Sequence, residues 1–222
     1  LYAELIEPEI LTFYRFLLGA TLLGLYLIVT KRLSRDLLFK PWRYLILGGI
    51  YSIYFVFMFI ALRYTSTIST SAIFALMPFA TLILDSMIFN KKSHSLIWLA
   101  LCISSVGALY IVFDGSLINA LNFKLDFGEL IFLIGTIVYS SYALFQPRLN
   151  FGENLLITTF GVLTAGTFIL AMSIIIQGLD FTPTNISIGL VFLIIYLAIF
   201  ASIGTILCLN FCLLYTSPSP RD

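Results

Sequence analysis

Long apolar stretches alternate along this chain with short polar breaks. Residues 42–62 and 68–89 each supply about 20 residues of nearly unbroken apolar sequence, enough at ~1.5 Å rise per residue to cross a ~30 Å hydrocarbon core. Only Arg63, Tyr64, Thr65, Ser66 and Thr67 lie between them, so the two spans are antiparallel neighbours. The same pattern predicts spans over residues 8–30, 95–113, 127–145, 155–176 and 186–211, seven complete helices in all. Pro8 suits a first helical turn. Pro78 falls in the middle of its span, where the ring removes one backbone hydrogen bond and clashes with the carbonyl four residues back, so a kink is predicted there. A freed carbonyl in lipid needs a partner, which predicts that Pro78 faces protein rather than acyl chains. Residues 114–129 turn polar, with Asp114, Lys124, Asp126 and Glu129, and separate two halves.

Composition removes the alternatives to a membrane reading. Apolar residues make up 60% of the 222 and charged residues 10%, against roughly 25% charge in a soluble globular domain. The fold class is therefore all-α, a polytopic integral membrane protein. A net charge of +1 gives no nucleic acid anything to bind, and the partners to expect are the lipid bilayer and a small-molecule substrate. Cys102, Cys208 and Cys212 have no metal-ligand spacing and His94 is the only histidine, so no metal, no cofactor and no catalytic residue is expected. Lys31, Arg32, Arg35, Lys40, Arg43, Lys91, Lys92 and Arg148 share one side if spans alternate, eight against Arg63 and Lys124 opposite. That asymmetry makes the eight-charge face cytoplasmic and predicts a multi-pass protein of the inner (plasma) membrane.

The second half restarts the first. Residues 10–23 (ILTFYRFLLGATLL) lie on residues 156–169 (LITTFGVLTAGTFI) at an offset of 146, which pairs Thr12 with Thr158 and Thr21 with Thr167. Residues 48–59 also resemble residues 198–211. Inverted repeats with a substrate site at their interface are a common way to build a transporter, and an odd number of spans per repeat inverts the second copy.

Three runs carry a family resemblance: ALRYTS at 61–66, STSAIFALMPF at 69–79 and SSVGALYIV at 104–112, with Arg15 in the preceding helix. Together they resemble the EamA-type repeat of the drug/metabolite transporter superfamily. The resemblance implies ten helices as two inverted five-helix repeats around a cavity near the membrane middle. On that reading residues 1–113 are the first repeat without most of its first helix, 114–126 a connector, and 127–211 a second repeat that stops after its third helix. Many members carry a glutamate at the cytoplasmic end of the proline-containing helix, and here that position is Lys91. The chain starts on Leu1, and residues 1–3 read as the end of an earlier span. Residues 212–222 (CLLYTSPSPRD) match an in-frame reading of a sequencing-library adaptor and are read as a non-native tail.

Polar and aromatic groups within the spans are the candidate substrate-binding residues: Arg15, Tyr51, Tyr54, Pro78, Tyr139, Ser141, Tyr142 and Asn210, with Ser140 beside them. An intramembrane arginine is costly and should face protein or water. Its duller reading is an anchor paired with Glu4, Glu7 or Glu9. Asp85 stands two turns before Lys92 and can pair with it or reach the cytoplasmic surface. Each tyrosine alone can be an interfacial or packing residue, and each serine a close helix contact. The pairs Ala20 with Gly24, Gly161 with Ala165, and Ala198 with Ser202 read as packing seams. Tyr51 and Tyr54 share a face, as do Tyr139 and Tyr142, and rings with hydroxyls suit a mixed organic substrate in a cavity beside Pro78. The expected function is a secondary transporter, an exporter of a small organic metabolite, amino acid or drug. The alternative is a membrane-embedded enzyme, for which no nucleophile motif or His/Glu cluster is visible.

Overall fold

The computed structural model of the chain describes residues 7–32, 40–90, 94–113, 115–116, 118, 121–122, 126–181 and 187–215. Every regular element among them is helical: α1 (Pro8–Val29), α2 (Trp42–Ala61), α3 (Thr67–Phe74), α4 (Met77–Phe89), α5 (Ser95–Val112), α6 (Phe127–Leu149), α7 (Leu155–Gln177), α8 (Ile188–Tyr196), a π-helical segment (Leu197–Gly204) and α9 (Thr205–Tyr215). The helix starts are written in side chains. Ser66, Asn154 and Ser187 each accept a backbone N–H of the first turn, from Ser69, Leu156 and Leu190. His94 does the same for Leu96, which gives the single histidine a structural role. Gly178 closes α7 with φ 66°, a left-handed position that a side chain would strain.

Six stretches of the described residues are long and apolar enough to cross a membrane, and α5, an apolar helix of 18 residues between caps at His94 and Phe113, stands at the expected seventh place. Three expectations change. Pro78 kinks no continuous helix: the span from Thr67 to Phe89 is broken at Ala75 and Leu76, and Pro78 stands in the first turn of α4, where its missing N–H costs nothing. Nor does it face protein, for Pro78 is exposed and no residue of α4 is fully buried. The sixth element overruns its expected end at residue 145, with Pro147 held inside the last turn of α6. Glu4, Arg35, Lys91, Lys92, Asp114, Lys124, residues 1–3 and residues 216–222 of the tail lie outside the described residues.

The chain divides into two compact units, Leu1–Ser52 with Phe145–Asp222, and Ile53–Leu144. In the first unit α1 packs along α7, the two helices that the sequence offset equates. Leu23, Leu27 and Ile157 form a buried cluster there, covered by Leu156, Phe160 and Ile203. Glycines let the backbones close up. A Cβ on Gly48 would stand 2.7 Å from both the Gly166 nitrogen and the Val162 oxygen, and one on Gly161 would stand 2.6 Å from the Tyr44 ring. Ala20, Ala165, Ala198 and Ser202 are likewise buried, as packing seams require. In the second unit Ala61, Ile73 and Phe132 make the buried cluster, flanked by Met58, Ile131 and Leu133.

Candidate functional site

Of the four tyrosines expected to act together, Tyr54, Tyr139 and Tyr142 meet in the second unit, and Tyr51 belongs to the first. Tyr54 on α2 stacks on Tyr139 of α6 with ring centroids 4.4 Å apart, and Tyr139 stacks on Tyr142, one turn on, at 6.1 Å and 5°. Phe74, the last residue of α3, lies 5.9 Å from Tyr139 and 6.2 Å from Tyr54, so four rings gather where the third span breaks. The α2–α6 approach that allows this runs through Gly135, whose Cβ would meet Phe57 at 3.1 Å. Tyr142 is fully buried, and Tyr54 and Tyr139 are each 6% exposed. Aromatic rings at such spacing contribute to stability beyond their buried area.

The backbone break supplies polarity beside those rings. The single proton of the Ser140 hydroxyl is shared between the Thr136 carbonyl of its own helix at 2.8 Å and the Met77 carbonyl at 3.3 Å. The Met77 carbonyl also accepts from Thr81 at 3.0 Å. Ser141, by contrast, donates to the Ile137 carbonyl of its own helix at 3.2 Å, so its hydroxyl proton is engaged locally. Pro78 itself is exposed and contributes the break rather than a contact.

The first unit holds the other three candidates. Arg15 is 1% exposed, with its guanidinium carbon 5.2 Å from the Phe16 ring centroid, within the range where a cation is attracted to an aromatic face. Phe16 stacks on fully buried Tyr51 at 5.4 Å. Asn210 on α9 is fully buried and donates its amide to the Thr159 hydroxyl of α7 at 3.4 Å, while Thr159 donates to the Leu155 carbonyl at 2.8 Å. The π-helical segment precedes Asn210, and such segments recur at functional positions because they re-aim the residues that follow.

Sequence reasoning passed over four polar residues. Arg43, counted only as a positive charge of a loop, is 2% exposed. Its guanidinium pairs with Glu153 at 2.6 Å, donates to the Leu149 carbonyl at 2.9 Å and lies 4.7 Å from the Phe151 ring centroid. Glu129, assigned to the connector, is buried in the first turn of α6 and accepts a hydrogen bond from Thr65. An acid in a first helical turn was the available signal. Gln146 is fully buried beside Pro147, with no hydrogen-bond partner for its amide among the described residues. Thr159 carried no signal except its position one residue after Thr158 of the repeat.

Comparison with known proteins adds a family to this geometry. A model of the EamA-like transporter family matches residues 1–113. A Bacillus subtilis (strain 168) protein described as "Uncharacterized transporter YyaM" is 26% identical over 200 residues, 89% of this chain. The chain spans 65% of that relative's length.

Proposed function

This chain belongs to the EamA-like transporter family, and we propose that the whole protein is a secondary transporter of a small organic metabolite, amino acid or drug, working by alternating access in the inner (plasma) membrane. Outward transport is part of the proposal. The observation that carries the substrate class is the four-ring cluster of Tyr54, Phe74, Tyr139 and Tyr142, set within membrane-spanning elements at a helix break. Rings with hydroxyls suit a substrate that is partly flat or apolar and partly hydrogen-bonding. An ion would need compensating charge at the same place.

Alternating access requires elements that can change arrangement without unfolding. The break at Ala75 and Leu76 and the π-helical segment Leu197–Gly204 supply such positions, because their hydrogen bonds already depart from the α pattern. Arg15, Tyr51 and Asn210 belong to the proposal as buried polar and aromatic groups of the first unit.

The test is transport by the full-length protein in proteoliposomes preloaded with candidate substrates. Tyr54→Ala and Tyr142→Ala should weaken apparent substrate affinity roughly tenfold, the loss expected when a stacked ring is removed, with membrane expression unchanged. Unaltered kinetics in both variants would take these tyrosines out of the site.

A further inference from the structure

A groove of about 630 Å³ runs along the first unit between α1 and α7, outside the candidate site. Ala20, Thr21 and Gly24 line it from α1, and Phe160, Thr164 and Thr167 from α7. Its lining is almost wholly apolar although it contains three threonines. The reason is local. Thr21, Thr164 and Thr167 donate their hydroxyls to the carbonyls of Leu18, Phe160 and Leu163 on their own helices, at 2.9, 2.8 and 2.8 Å. What remains for an occupant is hydrocarbon. Thr21 and Thr167 are also equivalent in the sequence repeat, so the groove is built from matching positions of the two copies.

Its dimensions and its charged end select the occupant. From Phe13 to Ile28, both lining residues, α1 rises about 22 Å. That gives room for an acyl chain through one leaflet of a ~30 Å hydrocarbon core. At the end of the groove α1 closes in a Schellman turn: the Lys31 N–H bonds the Ile28 carbonyl, the Arg32 N–H bonds the Leu27 carbonyl, and Lys31 has φ 52°. Lys31 and Arg32, both exposed, follow Ile28 by one turn, at the level where lipid headgroups begin. Two exposed cations at that level suit the phosphate of an anionic phospholipid.

We propose that the groove between α1 and α7 binds one anionic phospholipid, with an acyl chain against Ala20, Gly24, Thr164 and Thr167 and the headgroup phosphate on Lys31 and Arg32. The charge count places this mouth at the cytoplasmic leaflet, where anionic lipids attract juxtamembrane cations.

Native mass spectrometry of the full-length protein, delipidated and then offered phosphatidylglycerol or phosphatidylcholine, tests the assignment. One phosphatidylglycerol should remain bound, preferred roughly 30-fold over phosphatidylcholine, as two cations near the surface imply. Lys31→Asn with Arg32→Gln should abolish the preference and leave the helix content seen by circular dichroism unchanged; asparagine tolerates the left-handed position. Thr164→Trp should block retention of either lipid. Equal retention of both lipids by the native protein, or an undiminished preference in the charge variant, would overturn the headgroup site. Disulfide-linked dimers formed by Thr21→Cys in native membranes would show that a second copy fills the groove, and protection of Thr21→Cys from a lipid-soluble maleimide in the delipidated monomer would show that polypeptide does. Either result also overturns the proposal.

Discussion

Gly48 sits where two helix backbones nearly touch, and one methyl group is more than the space allows. The atoms a Cβ would meet are the nitrogen of Gly166 and the oxygen of Val162, neither of which can swing aside as a side chain does. Gly48→Ala should therefore destabilise the protein by about 1–3 kcal/mol, the usual cost of overpacking. Gly107 on α5 has nothing within 4 Å of the same added atom. Gly107→Ala should stabilise by roughly 0.5–1 kcal/mol through helix propensity alone. Thermal unfolding in detergent should move the two variants in opposite directions, and a shared direction would refute the packing account. Arg43 offers a second residue-scale test. Its side chain and that of Glu153 are 2% and 7% exposed, so removing either leaves the other charge buried and uncompensated. Arg43→Ala and Glu153→Ala should each cost about 3 kcal/mol, and the double variant clearly less than their sum. Strict additivity would mean that the pair is not coupled. Arg43→Lys should not rescue, because a single ammonium cannot serve the Leu149 carbonyl and the Glu153 carboxylate in the fork that the guanidinium provides.

At the scale of elements, the third span is two helices rather than one bent helix. Pro78 lacks the N–H that would bond the Phe74 carbonyl, and the chain answers by ending α3 at Phe74 and starting α4 at Met77. The last carbonyls of α3 and the first residues of α4 then sit beside the aromatic cluster, with Ser140 donating to Met77. Pro78→Ala restores a donor and allows the two halves to fuse. Stability should change by less than about 1 kcal/mol, since proline in a first turn was already well placed. Transport by the full-length protein should nonetheless fall, because the break is the element proposed to rearrange. Unchanged transport with a continuous helix over residues 67–89 would remove that role.

For the whole molecule, the positive charges predict an orientation, while α1 and α7 set the packing of the first unit. Single-cysteine labelling reads the orientation: Ser34→Cys should react with an impermeant maleimide only after intact cells are permeabilised. Reaction without permeabilisation would invert the topology, and with it the leaflet assigned to the lipid groove. Helices related by the 146-residue offset lie side by side, with Thr12 and Thr158 both buried and Thr21 and Thr167 both on the groove.

Sequence alone determined the membrane class, the helical class and the approximate place of each span, because a bilayer imposes one rule: about 20 apolar residues per crossing, with every backbone group bonded within the helix. It also put Tyr139 and Tyr142 side by side on one helix, since helical spacing fixes which side chains share a side. Only tertiary structure decided which partners those faces met. Apolar residues such as Phe74 and Phe16 carry no mark that separates a ring bordering a tyrosine from one facing lipid, and both outcomes fit an equally apolar span. The same holds for Arg43, Glu129 and Gln146, which a sequence reading sets at polar span ends although the fold buries them. Burial there depends on neighbours more than 60 residues away along the chain for Glu129 with Thr65 and more than 100 for Arg43 with Glu153. Pro78 marked a break that the sequence could foresee, but whether the freed turn faced protein or stood exposed was settled by packing, not by the ring.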